Sequence, residues 1–298
     1  MCLLFSVACL LSYFQSEDFF HLDRVIRLTL NYNQEIRSKE DVTIWFVMTS
    51  DDPVLNPRQS CAIESTSQMN PFSEILVFHT RPDIEMKVNL PNVKFQYLGP
   101  QSMFAGSPLD SWYHSQAFNE SPYKRIHLSD GLRTALLWEY GGIYMDLDFI
   151  CLKPLRDLTR NFLGFEGEKR VNVMKYMTMH YNPDSIPGAG PNILSDVFLK
   201  HCPEDNSTDW SGTVTCDGVT AYPKHYFYPV PYEQNQKLFS RDHLEEVLKE
   251  LDGSHAIHFW NALTNGIQAN VKDEVVLTVL ARKYCPSVAN IAGESFRK

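Results

Sequence analysis

Two aspartates, Asp146 and Asp148, stand one residue apart in an apolar stretch of the chain. In an extended chain, side chains two residues apart project to the same side, so both carboxylates can address one ligand. Their oxygens suit Mg²⁺ or Mn²⁺, and a dication held there would neutralise a highly charged leaving group such as a diphosphate. A D-x-D pair alone is weak evidence, since acidic pairs in loops are usually solvated. Here the apolar flanks, 143–145 and 149–150, would bury the carboxylates, which favours a bound cation.

The segment before this pair predicts a helix, a stop and a short strand. Ser129 is a good N-cap, and Asp130 would follow in the first helical turn, near the positive end of the helix. Gly141-Gly142 would end the helix, because glycine adopts left-handed conformations without strain. A short strand at 143–145 then places the acidic pair beyond a strand's carboxyl end, where open α/β sheets bind ligands. One apolar stripe faces the core: Leu128, Leu132, Ala135 and Leu136.

The remaining pattern predicts an α/β fold that opens as a Rossmann-like layer. The near-continuous β-rich run at 42–48 reads as a buried parallel strand. The segments 75–78 and 93–97 read as the second and third strands, and 58–69 reads as a helix. Apolar residues at helical spacing predict two packing helices, 238–251 and 271–284.

Composition excludes several classes of protein. The chain has 298 residues and a formal net charge of −9, with 44% hydrophobic and 21% charged residues. This is an ordinary globular balance, so a wholly disordered or coiled-coil chain is excluded. Basic residues do not cluster, and we expect no nucleic-acid partner. No apolar run reaches 18 residues, which excludes a multi-span membrane protein.

The N-terminus predicts entry into the secretory pathway. Residues 2–14 are almost entirely apolar and would cover roughly 20 Å as a helix, short of a bilayer core of about 30 Å. We interpret 1–14 as a signal peptide or truncated signal-anchor, with a buried helix as the alternative. Residues 15–40 read as a polar stem, and 41–298 as the folded domain.

Cysteine usage agrees with an oxidising compartment. Cys202 and Cys216 flank a short polar loop and are the preferred disulfide pair. Cys61 with Cys285 is a second compatible pair, which would leave Cys151 free and buried, although connectivity cannot be fixed from the sequence. Sequons at Asn119 and Asn206 would be glycan sites in a luminal protein.

Longer motifs around the acidic pair resemble a known family. The runs L-S-D-G-L-R at 128–133 and Y-G-G-I-Y-M-D-L-D at 140–148 are similar to the D-x-D signature of the α1,4-glycosyltransferases, which include the globotriaosylceramide synthases. The resemblance covers roughly residues 42–290. Further landmarks fall in family order: 44–50, 61–65, 190–191, 227–231, 255–261 and 284–286.

This resemblance implies a fold and a reaction. The fold would be GT-A, a Rossmann-like mixed sheet flanked by helices in one catalytic domain, with the D-x-D region at about 58–168 and a family-specific region at about 188–298. The reaction would be retaining α1,4-transfer of galactose or N-acetylgalactosamine from a UDP-sugar to a glycolipid or glycoprotein glycan, with Mn²⁺ (or Mg²⁺) as cofactor. The setting would be a type II Golgi membrane protein with a luminal domain, secreted if its N-terminus is cleaved.

The resemblance also implies site residues. Asp146 and Asp148 would bind the metal and diphosphate, and His258 would complete that set. Asp130 and Arg133 would be a donor-binding pair, and Tyr144 and Trp260 would line the nucleotide or sugar site. Each has a structural alternative: Asp130 as a helix N-terminal charge, Arg133 as a solvated charge, and His258 and Trp260 as core residues. His255 reads as structural, and no catalytic nucleophile is assigned.

One departure from the family weakens the expectation of turnover. About a dozen residues that the family carries are missing after Asn172, in a stretch that helps to build the acceptor and sugar side of its cleft. A catalytically impaired luminal protein that still binds nucleotide sugar or partners is therefore an alternative function. A hydrolase that uses Asp146 and Asp148 as acid and base is a poor third, because residues two apart can hardly flank a glycosidic bond.

Overall fold

The chain is described here by a computed structural model covering residues 42–159, 161–164, 181–185, 212–216 and 218–296. The predicted N-terminal segment and stem, Cys202, the sequon at Asn206 and the departure after Asn172 lie outside these ranges. Within them, we find no helix that combines the length and apolarity needed to cross a membrane.

A four-stranded parallel sheet forms the centre of the fold. Its strands are β1 (Ile44–Met48), β2 (Ile75–His79), β3 (Val93–Tyr97) and β4 (Ile143–Tyr144), in the order β3-β2-β1-β4. All three neighbouring pairs are parallel. Every residue of β1 is buried, as expected for the inner strand of a sheet covered on both faces. The predicted α/β class with a Rossmann-like layer is confirmed.

Nine helices are assigned within the described residues. Among them, α1 starts with a capping box in which Asn56 accepts a hydrogen bond from the Gln59 N–H. The helices are α1 (Pro57–Met69), α2 (Pro100–Phe104), α3 (Asp110–Tyr113), α4 (Gln116–Glu120), α5 (Lys124–Tyr140), α6 (Leu244–Glu250), α7 (Asn261–Thr264), α8 (Val276–Tyr284) and α9 (Pro286–Ala292).

Two smaller sheets are also found in the part of the chain that the structure describes. Strand β5 (Phe149–Cys151) pairs antiparallel with β9 (Ala256–His258), which joins the segment after the acidic pair to the C-terminal part of the chain. In the second sheet, β8 (Val219–Tyr222) pairs parallel with β6 (Phe162–Gly164) and antiparallel with β7 (Val214–Cys216).

The predicted start of α5 at Ser129 is wrong. The helix begins at Lys124 with Tyr123 as its N-cap, so Ser129 and Asp130 lie within the helix and not in its first turn. The earlier start is favoured by His127, which is fully buried and contacts the Tyr181 hydroxyl at 2.7 Å. Tertiary contacts therefore extend the helix past the residue that local capping preference selects.

The predicted stop at Gly141-Gly142 is confirmed, and it also sets the approach of β4 to β1. Gly141 and Gly142 have φ values of +65° and +87°. A Cβ on Gly142 would lie 2.6 Å from the Thr43 carbonyl oxygen, so any larger residue would push β4 away from β1.

The predicted helix at 238–251 is wrong as one element. The structure has 3₁₀ turns at Tyr232–Phe239 and Arg241–His243, followed by the short helix α6. The backbone of Ser240 is extended and separates the two 3₁₀ turns, so no continuous α-helix forms here. The apolar residues keep their spacing along the chain. The predicted helix at 271–284 is shorter, as α8 starts at Val276.

Helix α1 is fixed to α9 by a disulfide and a buried carboxylate. Cys61 is bonded to Cys285, while Cys151 is free and buried, as the second predicted pairing requires. Cys216 is disulfide-bonded, and its predicted partner Cys202 lies outside the described residues. One turn after Cys61, the fully buried Glu64 accepts hydrogen bonds from the N–H groups of Ser287 and Val288, at 3.0 and 2.8 Å. Glu64 thereby caps the N-terminus of α9.

We expect Glu64→Gln to lower the free energy of unfolding by about 2 kcal/mol, because the amide removes the charge and turns an N–H₂ group toward two N–H donors. Urea denaturation followed by circular dichroism measures this. The exposed Glu250→Gln is the matched control and should change the value by less than about 0.5 kcal/mol. Equal effects of the two substitutions would show that Glu64 does not anchor α9.

Candidate functional site

The acidic pair lies where the parallel sheet ends. β4 carries Tyr144, and Asp146 and Asp148 follow it in the turn that leads to β5. Helix α5 precedes β4, and the glycine turn after Tyr140 reverses the chain between them. The helix therefore lies alongside the strand and reaches the same edge of the sheet. The predicted position of the pair beyond the carboxyl end of a strand is thus confirmed.

Arg133 connects the helix to the acidic pair. One of its terminal nitrogens, Nη2, lies 3.2 Å from Asp130 Oδ1 and 3.2 Å from Asp146 Oδ1. Its guanidinium sits 4.6 Å from the centre of the Tyr144 ring, and the Tyr144 hydroxyl donates to Asp146 Oδ1 at 2.7 Å. Two of the predicted donor-site residues, Arg133 and Tyr144, therefore meet at Asp146, and Arg133 links a third, Asp130, to the pair. The Arg133 side chain is not a freely solvated charge.

Burial shifts the ionisation of this group. It raises the pKa of Asp130 to about 6; Arg133 opposes that rise and Asp146 adds to it. For Arg133, burial acts to lower the pKa, but Asp146, Tyr144 and Asp130 outweigh it, so the pKa stays above its usual value. Burial also raises the pKa of Tyr144, so its hydroxyl keeps its proton and remains a donor to Asp146. Arg133 is thus a permanent positive charge at the site.

Asp148 is held by the C-terminal part of the chain. His258, at the end of β9, places Nε2 2.9 Å from Asp148 Oδ1, and the Asn261 backbone N–H donates to Oδ2 at 2.9 Å. Burial opposes ionisation of Asp148, but His258, the Asn261 N–H and Arg133 outweigh it and hold its pKa below the usual range. Asp148 is therefore an anion at neutral pH.

The three predicted metal ligands lie together. One donor atom each from Asp146, Asp148 and His258 falls within 4.8 Å of the others, and all three residues are partly accessible. Two carboxylates and an imidazole are donors that Mn²⁺ accepts, so this set fits a divalent ion. His258 Nδ1 accepts a hydrogen bond from the Trp260 N–H at 3.3 Å, which leaves Nε2 facing Asp148. To act as a ligand through Nε2, His258 has to exchange Asp148 for the ion.

Trp260 is buried, and its own contacts are structural. Its Nε1 donates to the Val230 carbonyl at 3.0 Å, and its ring lies 4.2 Å from that of His258. It has a left-handed φ of +54°, which is uncommon for a residue other than glycine and marks a conformation imposed by its surroundings. Trp260 thereby buttresses His258. His255, predicted to be structural, stacks on Tyr226, and burial lowers its pKa.

Sequence reasoning missed three contributors to the site. Tyr228 lies near both the Asp148 and the Asp146 side of the site. The Tyr228 ring is 5.5 Å from that of His258, and Tyr228 acts electrostatically to raise the pKa of Arg133. The Asn261 N–H holds Asp148, and Arg58 binds the Asn261 side chain. Tyr228 belongs to the F-Y-P-V-P run, so the motif pointed to it. Asn261 likewise ends the landmark run at 255–261, whereas Arg58 is placed at the site only by contacts between distant segments, which no local pattern shows.

Comparison with known proteins agrees with this geometry. Residues 56–164 match the family described as glycosyltransferase sugar-binding region containing DXD motif, and residues 170–292 match the alpha 1,4-glycosyltransferase conserved region. Lactosylceramide 4-alpha-galactosyltransferase of Rattus norvegicus is 32% identical over 82% of this chain and 74% of its own length. The enzyme of that name from Homo sapiens is 32% identical, over 82% of this chain and 75% of its own.

More distant similarities are found as well. Alpha-1,4-N-acetylglucosaminyltransferase of Homo sapiens is 24% identical over 76% of this chain and 74% of its own length. Among solved structures, the PaToxG glycosyltransferase has a TM-score of 0.38 at 15% identity, covering 62% of this chain and 79% of that one. The galactosyltransferase LgtC, in complex with donor and acceptor sugar analogs, has a TM-score of 0.33 at 14% identity, covering 84% of this chain and 95% of its own.

The acidic pair, its sheet edge and the matched DXD region define a glycosyltransferase. More particularly, the chain belongs to the α1,4-glycosyltransferase family, as its identity to the lactosylceramide 4-alpha-galactosyltransferases over most of their length shows.

We expect Arg133→Met to lower the free energy of unfolding by about 2 kcal/mol, because it leaves buried Asp130 without its cation. Adding Asp130→Asn should recover part of this loss, since the remaining buried charge is removed. Urea denaturation of the single and double variants measures the coupling. Arg125→Met is the control, as it breaks only the exposed pair with Asp51 and should cost less than about 0.5 kcal/mol. Strictly additive effects would contradict a coupled Arg133–Asp130 pair.

Proposed function

We propose that this protein transfers galactose, or N-acetylgalactosamine, from a UDP-sugar to a glycan with retention of configuration, forming an α1,4 linkage. The observation that carries the proposal is the cluster of Asp146, Asp148 and His258 at the sheet edge of a chain in the α1,4-glycosyltransferase family. Family membership supports the linkage, while the sugar and acceptor are inferred from the named relatives.

In this proposal Asp146, Asp148 and His258 bind Mn²⁺ (or Mg²⁺) together with the donor diphosphate. When bound, the ion supplies positive charge that stabilises the leaving diphosphate. Asp148 is suited to its part because its low pKa keeps it charged. Arg133 adds a second, permanent positive charge beside Asp146, which would also stabilise the negative charge that develops on the leaving diphosphate.

Asp130 and Arg133 would also serve donor binding as a pair, with Arg133 as the residue that contacts the donor. Asp130 is 4% exposed and committed to Arg133, so its part is to orient the guanidinium. Arg133 retains 24% of its side-chain surface, enough to reach a bound hydroxyl or phosphate oxygen. Tyr144 and Trp260 are proposed to border the nucleotide or sugar, with their polar groups held by Asp146 and Val230.

The proposed partners follow from the named relatives. The acceptor would be a glycolipid such as lactosylceramide, or a glycoprotein glycan, and no nucleic acid is involved. We propose that residues 41–298 form one GT-A catalytic domain on the luminal side of the Golgi membrane. The apolar N-terminus, the sequons and the Cys61–Cys285 disulfide support that setting, because such bonds form in oxidising compartments.

A second function remains in competition. The sequence departs from the family after Asn172, where the family builds the acceptor side of its cleft. The second candidate is therefore a catalytically impaired protein that binds nucleotide sugar or partners without efficient transfer.

A donor screen distinguishes the two. The full chain is incubated with Mn²⁺, lactose or lactosylceramide, and UDP-galactose, UDP-N-acetylgalactosamine or UDP-N-acetylglucosamine in turn, and UDP release and product linkage are measured. Acceptor-dependent release with an α1,4 product supports transfer. If UDP binds in a metal-dependent way but no donor and acceptor combination gives product, the result supports the binding function and contradicts transfer.

We expect Asp148→Asn to weaken Mn²⁺-dependent UDP affinity by about 100-fold. At an effective dielectric near 20, a charge pair 4 Å apart is worth about 4 kcal/mol, and about 3 kcal/mol retained after desolvation corresponds to this factor. Asp146→Asn should act in the same direction but more mildly, because we propose that Asp146 reaches the nucleotide through water. Calorimetric titration of UDP with and without Mn²⁺ measures both. Equal affinities for wild type and Asp148→Asn, in both conditions, would refute the metal site.

A further inference from the structure

Arg58 is an arginine enclosed in the protein, at the start of α1. It is 3% exposed, and its guanidinium donates to a segment more than 200 positions later in the chain. Nη1 lies 3.1 Å from Asn261 Oδ1 and 3.0 Å from Thr264 Oγ1, and Nη2 lies 2.6 Å from the Ile267 carbonyl oxygen. One side chain thus holds the whole turn built on α7.

Burial of this group is costly. It lowers the pKa of Arg58 to about 10, and nearby Asp148 partly opposes the shift. Among the described residues, Arg58 Nε has no hydrogen-bond partner, so the guanidinium is not fully satisfied. A buried cation of this kind adds less to stability than a well-packed apolar side chain would. We therefore look for the role of the Arg58 hydrogen bonds in the residues that they position.

The turn that Arg58 holds carries the N–H that binds Asp148. Asn261 accepts from Arg58 with its side chain and donates to Asp148 Oδ2 with its backbone, at 2.9 Å. Thr264 Oγ1, also bound by Arg58, donates to the Phe259 carbonyl at 2.9 Å, which closes the turn. Trp260, just before Asn261, has its left-handed conformation within this same turn. Each of these contacts fixes the direction of the Asn261 N–H.

We propose that Arg58 is a positioning residue of the metal site, which acts through Asn261 and rests on the proposed metal-dependent function. By fixing the Asn261 N–H on Oδ2, it presents Oδ1, the oxygen beside His258, to the divalent ion. Groups that orient metal ligands from behind typically change metal affinity by 10–100-fold when they are lost.

The test is Mn²⁺ affinity of the full chain, measured by electron paramagnetic resonance titration with and without UDP. Arg58→Met should weaken Mn²⁺ binding about tenfold, and Arg58→Lys should lie between it and wild type, because lysine keeps a charge and some donors. Asn261→Ala removes the acceptor for Arg58 but keeps the backbone N–H, and it should weaken binding as well. Because both act on one path, the double variant should lose less than the product of the two single losses.

Arg282→Met is the matched control. Arg282 likewise donates to backbone carbonyls, those of Val271 and Asp273, and pairs with Glu274. It should leave Mn²⁺ affinity unchanged while removing a comparable set of bonds. If Arg58→Met fails to fold in circular dichroism, Arg58→Lys and Asn261→Ala carry the test.

The possible failures are distinguishable. If wild type does not bind Mn²⁺, the proposed metal function fails. If wild type binds, but the folded Arg58 and Asn261 variants bind equally well or lose affinity independently, the role of Arg58 is overturned and the metal site stands.

Discussion

The architecture of the site depends on how one carboxylate, Asp148, is held. It leaves β4 in the N-terminal part of the chain, yet both of its oxygens are bound by His258 and the Asn261 N–H, more than 100 residues later. Pairing of β5 with β9 brings these segments together, with Phe149 opposite His258. An anion that is mostly removed from solvent is stable only with such partners. The C-terminal part of the chain must therefore be folded for Asp148 to be held in place.

Asp146 is held differently, by its own neighbourhood. Tyr144 and Arg133 are close in sequence and reach it because the glycine turn folds β4 back along α5. The two aspartates of one short motif thus have separate supports, one local and one distant. The two matched family regions, 56–164 and 170–292, divide along the same line, because the first contains both aspartates and the second supplies the partners of Asp148. The second region contacts the acidic pair at Asp148, through His258 and Asn261.

This division explains what could be predicted from the sequence. The strands and the glycine stop follow from periodicity and local backbone preference, and the structure confirms them. The predicted position of Asp146 and Asp148 beyond the end of β4 is confirmed as well. Ser129 failed as a helix start because buried His127 extends the helix beyond the local capping signal. Arg58 and the Asn261 N–H were missed because their importance arises only when distant segments meet. A charged residue next to a proline reads as the solvated start of a helix, and nothing local marks it as buried.

The separate supports also bear on the departure after Asn172. The contacts that hold the acidic pair come from α5, β4, β9, α7 and Arg58, all of which lie outside the stretch in question. The predicted departure after Asn172 therefore does not involve these contacts, and the proposed binding of a metal and diphosphate would not depend on it. Placement of an acceptor is a different requirement, which needs a surface on the other side of the reacting sugar. Donor binding and transfer are therefore separable properties of this fold. The D-x-D motif supports the first of them, and the departure predicted after Asn172 bears on the second.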